Sequence, residues 1–229
     1  FTKAKETIEI AMLVYPEREE NYSTLAFWHL EDNNMEMALN VIDQGLQVDD
    51  KYSTLYQIKA DLSRQNNALG FAKELYLKAI AHSDNQGPIK IKLLNTYIEL
   101  GENEIAIEFA DELLNQYPNN PDIYYNVGVV YTRIVKEKMD LFAIQFEELN
   151  QVETPTKIMI HEAYNNIRQV RQFAYNAKDY FLEASDLEQS GELSTEEAVS
   201  EMKKILSNID NIYLLNIKTL AKNVNIELE

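Results

Sequence analysis

The amino-acid sequence predicts an all-α fold in which helix–turn–helix units stack into an α-α superhelix. Three observations indicate this. Small, aromatic and proline residues recur at a spacing of 34. Apolar residues within each repeat follow the helical period, and no segment shows the sustained alternation of a β-strand. Glycine and proline number only 6 and 5 in 229 residues, so long helices are seldom interrupted.

Four series of positions define the repeat, and each advances by 34 residues. They are Ala26, Ala60, Leu94 and Gly128; Ala4, Ala38, Ala72 and Ala106; Pro16, Asp50, Asp84 and Pro118; and Tyr22, Tyr56, Lys90 and Tyr124, where Leu94 and Lys90 are in register but depart from the residue type. Within the third unit, apolar spacing predicts a first helix around 89–98 and a second around 105–114. Gly101 marks the turn between them, and Pro118 ends the second helix.

The unit resembles the tetratricopeptide repeat (TPR). In that family a small residue lies midway along the first helix, with aromatic residues one turn to either side. Tyr124, Gly128 and Tyr131 match this pattern, and Ala106 and Pro118 match the start and end of the second helix. The resemblance, which is to bacterial TPR-containing proteins, implies a solenoid whose first helices line a concave, partner-binding surface.

The register breaks after Gly128. The next expected alanine position holds Asp140, and the second-helix pattern of Ala177, Phe181 and Ala184 comes 37 residues late. We therefore predict two long helices, about 121–150 and 155–188, that form a hairpin projecting past the layer. Gly128 is expected to pack against the helix around Ala177 and Phe181. Similar long insertions occur in some TPR proteins of the bacterial envelope.

The C-terminal segment lacks the repeat's small positions. Ser194 followed by Glu197 predicts a capping box at a helix start. Two amphipathic helices with a break near 208–211 would then cap the solenoid. The predicted organisation is a solenoid over 1–189 and a helical cap over 190–229. Within the solenoid we expect a half repeat at 1–17 and repeats at about 19–50, 53–84, 87–118 and 121–189, with an insertion at about 137–172.

Composition excludes several function classes. The net charge of −17 disfavours nucleic acid as a partner. Without cysteine there are no thiol nucleophiles, disulfides or thiolate metal sites. His161-Glu162 lacks the second histidine of a zinc-protease helix, since the required position holds Asn165. We therefore expect no enzyme activity, no cofactor and no metal.

No apolar run reaches the length of a membrane span. The chain starts at Phe1 rather than an initiator methionine, so we expect it to begin inside a longer protein. The compartment stays open between the bacterial cytoplasm and the periplasm or cell envelope, and the oligomeric state is unknown.

The predicted function is a non-catalytic protein–protein interaction scaffold that binds a peptide or protein in the concave groove. The alternative is a structural or dimerisation arm of a larger enzyme or signalling protein. The groove residues that the resemblance implies are Phe27, Leu30, Gln57, Asp61, Arg64, Ile91, Asn95, Ile98, Tyr125, Asn126, Val129 and Arg133.

A basic stripe lies within the insertion. Arg168, Arg171 and Lys178 share one helix face with Tyr175. The stripe has two interpretations: an internal ion-pair partner for acidic neighbours, or a docking strip for an acidic ligand.

Overall fold

The computed structural model describes residues 2–188, 191 and 193–228. These residues form eleven α-helices and one π-helical segment, with no strand among them, which confirms the predicted all-α fold. The chain divides into two compact units, unit 1 (Phe1–Glu102) and unit 2 (Asn103–Glu229). The division falls inside the predicted repeat 87–118, and the predicted boundary between 189 and 190 lies outside the described residues.

Unit 1 contains six helices, four of which form two successive hairpins. They are α1 (Thr2–Val14), α2 (Glu19–Glu31), α3 (Met35–Val48), α4 (Ser53–Gln65), α5 (Leu69–His82) and α6 (Gly87–Leu100). Helix α2 pairs with α3, and α4 pairs with α5. The small residues of the repeat, Ala26 and Ala60 in the first helices and Ala38 and Ala72 in the second, are fully buried. The repeat series therefore marks where neighbouring helix backbones approach each other.

The turns that follow the first helices share a left-handed residue. Asn33, Asn67 and Gly101 have φ values of 58°, 59° and 78°, and they follow α2, α4 and α6. Only glycine, or asparagine with its short polar side chain, adopts this conformation readily. The three positions are themselves 34 residues apart, a series that the sequence analysis recognised only at Gly101.

Unit 2 is built around two helices of 31 residues each. Its elements are α7 (Asn103–Gln116), α8 (Pro121–Gln151), α9 (Lys157–Leu187), α10 (Thr195–Asn208), the π segment (Ile209–Leu214) and α11 (Leu215–Asn223). Two long helices were predicted, and the structure has them. The predicted start of α9 at Pro155 is wrong by two residues, because Thr156 is the N-cap and its side chain accepts a hydrogen bond from the Met159 amide.

The far end of the α8–α9 hairpin does not project alone, which corrects the sequence expectation. Residues of α8 and α9 between 135 and 174 share one buried apolar cluster with Leu206, the π segment and α11. Tyr213 of the π segment meets Phe142 and Phe146 edge-on, with ring centroids 5.2 and 5.1 Å apart. The C-terminal helices therefore cover the hairpin insertion as well as ending the chain of repeats.

The C-terminal segment also differs in detail from the prediction. Ser194 is the N-cap of α10, but its side chain forms no capping hydrogen bond, so the predicted capping box is absent. Instead of a break near 208–211 the helix continues through the π segment. Ile209 and Leu214 are both buried there at a spacing of five, which suits i→i+5 hydrogen bonding. The wide turn keeps one apolar face toward the hairpin although the sequence carries an extra residue.

Candidate partner-binding surface

Helices α2 and α4 are the first helices of the two hairpins of unit 1, α6 is the corresponding helix one repeat later, and charged pairs join α4 and α6. Arg64 of α4 donates to both carboxylate oxygens of Glu99 of α6, over distances of 2.8 to 3.0 Å. Lys92 of α6 donates to Asp61 of α4 at 2.6 Å. Two cations and two carboxylates thus alternate across the α4–α6 surface.

Asp61 is also held from the interior. The Tyr76 hydroxyl donates to its second carboxylate oxygen at 2.5 Å, and the Tyr76 side chain is completely buried. Burial, followed by this hydrogen bond to Asp61, raises the pKa of the Tyr76 phenol above its ordinary value of 10.0. Since both carboxylate oxygens have partners, Asp61 is fixed in position before any ligand arrives.

These charged groups line an open cleft of about 440 Å³, formed by Asp61, Arg64, Gln65, Lys92 and Glu99. The paired side chains keep about a third of their surface accessible, so a ligand can reach them. The cleft presents donors and acceptors close together, which suits the backbone and polar side chains of a peptide.

An exposed aromatic ring lies at the equivalent position of the preceding repeat. Phe27 of α2 precedes Asp61 by one repeat, and 51% of it is accessible. Single exposed apolar residues are common; this ring occupies, one repeat earlier, the position that Asp61 holds in the charged cleft. We call the surface formed by Phe27, Gln57, Asp61, Arg64, Lys92, Asn95 and Glu99 the first-helix face.

The other groove residues predicted in unit 1 differ in accessibility. Gln57, Ile91 and Asn95 are half-buried. Leu30 packs partly against the apolar cluster of α2, α3 and α4. Ile98 is only 7% accessible, so its prediction as a groove-lining contact is wrong.

In unit 2 the predicted groove is partly covered by the chain itself, since Tyr125, Asn126 and Val129 are half-buried. Tyr125 of α8 lies against Phe181 of α9, with ring centroids 5.4 Å apart. Tyr125 and Val129 both pack on a buried cluster that includes Val199 and Met202 of α10. Helix α10 therefore packs against part of this face, and only the remaining accessible part of Tyr125 and Val129 is open to a partner. The two remaining predicted residues are Asn126, half-buried, and Arg133, exposed.

The basic stripe interacts with other groups of unit 2. Arg171 forms an ion pair with Asp210 at 2.7 Å, and Lys178 pairs with the adjacent Asp179 at 3.2 Å. The Arg168 guanidinium lies 5.4 Å from the centre of the Tyr164 ring. These contacts support the internal ion-pair interpretation for Arg171 and Lys178.

His161 is half-buried, and its Nε2 atom is buried without a hydrogen-bond partner. Within residues 2–188, 191 and 193–228, no three acidic or histidine side chains come together as a metal site would require. None of the described helices is long and apolar enough to cross a membrane.

Sequence reasoning missed Lys92 and Glu99 as members of the first-helix face, and Tyr76 as the buried residue that holds Asp61. Asp61 and Lys92 are 31 residues apart, and Arg64 and Glu99 are 35 apart. Both spacings lie within one turn of the 34-residue repeat. Opposite charges at the repeat length plus or minus a few residues would have indicated these pairs.

No family model and no curated protein matches the chain. Solved structures do match its fold. YrrB, described as a TPR protein with an unusual peptide-binding site, is 17% identical over 96% of this chain and 99% of its own, with a TM-score of 0.52. MamA from Desulfovibrio magneticus RS-1 is 11% identical over 90% and 93%, with a TM-score of 0.55. Human IFIT1, from a structure of the dimer with m7Gppp-AAAA, is 14% identical over 99% of this chain and 46% of its own, with a TM-score of 0.55.

Proposed function

We propose, from its TPR fold, that this chain is a non-catalytic scaffold that binds a segment of a partner protein on the first-helix face of unit 1. The observation that carries the proposal is the Asp61–Lys92 and Arg64–Glu99 arrangement, which joins α4 and α6 in register with exposed Phe27. YrrB, which shares the fold, is described as having a peptide-binding site, and this supports the same class of ligand here.

The mode of binding follows from the chemistry of the face. Phe27 would bury its ring against an apolar side chain of the partner. The backbone amides and carbonyls of the partner would form hydrogen bonds with the charged side chains of the cleft. They would replace the water molecules that solvate these partly exposed charges. Each element is small, so we expect affinity in the micromolar range typical of short peptide segments, about 1–100 μM.

A matched pair of variants tests the proposal. Peptides selected on the intact protein from a displayed library are measured by fluorescence anisotropy against Phe27→Ala and Phe71→Ala. Phe71 lies on the second helix α5 and is 49% accessible, close to the 51% of Phe27. We expect about tenfold weaker binding for Phe27→Ala, a loss of about 1.4 kcal/mol, and no change for Phe71→Ala. Equal effects of the two variants would refute the first-helix face as the site.

The proposal excludes nucleic acid as the partner. A net charge of −17 repels a phosphate backbone. Retention of labelled RNA or DNA at physiological salt would contradict this exclusion, and competition of that nucleic acid with the selected peptides would locate it on the same face.

The alternative role as a dimerisation arm is favoured by one observation. Ile10, Leu13 and Val14 share one face of α1 and are 61%, 85% and 58% accessible. Sedimentation velocity of the chain and of Leu13→Lys tests this role: a concentration-dependent dimer abolished by the substitution would favour the arm, and a monomer at all concentrations would reject it.

A further inference from the structure

A second cleft, in unit 2, concentrates positive charge on an acidic protein. It is about 360 Å³ and is lined by Tyr164, Arg168 and Arg171 of α9, Asp210 and Leu214 of the π segment, and Leu215 and Lys218 of α11. We call it the basic pocket. Three cations and one carboxylate line it, whereas the whole chain carries 21 basic and 38 acidic residues. An anionic group is therefore attracted to this pocket more than to the average surface.

Arg171 is held in place within the pocket. Its Nε donates to Asp210 Oδ1 at 2.7 Å, and its Nη2 donates to Asp210 Oδ2 and to the Tyr175 hydroxyl, both at 3.3 Å. A guanidinium has five N–H donors in a fixed plane, so Arg171 retains donor capacity for a ligand. Asp210 occupies the Nε and Nη2 edge of this guanidinium through two donated bonds, so a ligand would meet the remaining Nη1 donors.

Arg168 is positioned by an aromatic ring rather than by its charge alone. Its guanidinium lies 5.4 Å from the centre of Tyr164, a ring that is 8% accessible and belongs to the core. Stacking on a buried ring restricts the long side chain and lowers the entropy lost when it binds an anion.

The π segment brings the acidic and apolar groups of the pocket toward α9. Its extra residue keeps Ile209 and Leu214 buried together while Asp210 pairs with Arg171. Short π-helical turns inside α-helices are frequently found at functional sites. Leu215, directly after it, lines the pocket and is 58% accessible, so the pocket has an apolar wall beside its charges.

We propose that the basic pocket binds an acidic side chain of a partner peptide, with the neighbouring apolar residue of that peptide packed on Leu215. Charge complementarity selects the carboxylate, and the exposed leucine selects the apolar neighbour. The site lies in a different unit from the first-helix face and does not depend on it. The basic pocket would thus bind peptides that carry an acidic residue next to an apolar one, in addition to the peptides proposed for the first-helix face.

The experiment uses the intact chain and defined probes. A fluorescein-labelled peptide of alternating glutamate and leucine is titrated by anisotropy, beside a matched peptide with glutamine in place of glutamate. Lys218→Glu reverses a charge in the pocket, and Lys204→Glu reverses an exposed charge on α10 outside it. We expect the glutamate peptide to bind about tenfold more weakly to Lys218→Glu, and within twofold of the unmodified chain to Lys204→Glu.

The controls separate this site from general charge effects. Equal melting temperatures for all variants would exclude a folding defect. A second variant, Lys218→Gln, removes the charge without reversing it and should also weaken binding. Three results would overturn the proposal. Lys204→Glu and Lys218→Glu could weaken binding equally, the glutamine peptide could bind as tightly as the glutamate peptide, or the glutamate peptide could fail to bind at all. If inorganic pyrophosphate displaced the labelled peptide at lower concentrations than the unlabelled glutamate peptide does, the pocket would be reassigned to a phosphate ligand. A Lys218-dependent dimer would reassign it to a second copy of the chain. Both results overturn the acidic peptide as occupant.

Discussion

The ring of Phe181 lies directly over Gly128: a β-carbon added to Gly128 would come within 2.7 Å of Phe181 Cδ1 and Cε1. Both residues are buried, and they belong to α8 and α9, separated by more than fifty positions. Glycine is unfavourable in a helix interior, so its presence is explained by the space that the ring occupies. This contact joins the two long helices in the register of a single repeat.

The first prediction follows from that contact. Gly128→Ala should lower the free energy of unfolding by about 1–3 kcal/mol, because the new methyl group forces the Phe181 ring to move. Gly70 is also helical, but a β-carbon added there would meet no atom within 4 Å. Gly70→Ala should therefore be neutral or stabilising by up to about 1 kcal/mol. Urea unfolding followed by circular dichroism measures both.

A double-mutant cycle provides the control within unit 2. In a Phe181→Ala background the ring is gone, so Gly128→Ala should add little further loss. An undiminished loss in that background would mean that the two residues do not interact. Gly191 is a poorer control, because its φ of 72° makes any side chain strained.

The second prediction concerns alkaline pH. The pKa of Tyr76 is raised in the folded chain, chiefly by burial and then by its bond to Asp61. The stability linked to this proton is therefore present below pH 10 and is lost as the pH rises further, since the unfolded chain releases the proton first. Tyr76→Phe should flatten the fall in stability above pH 10 and, by losing the Asp61 bond, cost about 1–2 kcal/mol at neutral pH.

Fluorescence of Trp28, the single tryptophan and part of unit 1, measures this unfolding at each pH. Burial also raises the pKa values of Tyr22, Tyr52 and Tyr97, so part of the alkaline slope should persist. Tyr15→Phe, at an exposed ring, is the matched control. A slope identical in the Tyr76 and Tyr15 variants would contradict the buried hydrogen bond.

The third prediction concerns the cover that α10 forms over unit 2. Met202 is fully buried, and its sulfur lies 3.8 Å from the Thr132 hydroxyl of α8. Met202→Ala should destabilise unit 2 by about 2–4 kcal/mol and speed hydrogen exchange in α10. Lys204→Ala, on the exposed side of the same helix, should change neither. Unaltered exchange in Met202→Ala would show that α10 is not part of this core.

Most of the repeat architecture was predictable because its information is local and periodic. The 34-residue series located the buried alanines, and the 37-residue delay located the partner of Gly128. Left-handed Asn33 and Asn67 follow the same period, and the sequence already contained that signal.

The surface was less predictable, because its contacts cross between helices whose phases the repeat does not determine. Asp61 and Arg64 were identified, but not their pairing with Lys92 and Glu99. Tyr125 matched the family's groove position, yet α10, outside the repeat pattern, packs over it. The extra residue between Ile209 and Leu214 was interpreted as a break because periodicity alone does not distinguish a break from a π turn.

We propose above that partners contact the first-helix face of unit 1, and site-specific crosslinking tests this most directly. Because the chain has no cysteine, single variants Gln57→Cys on α4 and Glu74→Cys on α5 can each carry a photo-crosslinker in the presence of a selected peptide. We expect efficient crosslinking from position 57 and background yield from position 74. Equal yields, or a higher yield from position 74, would contradict it.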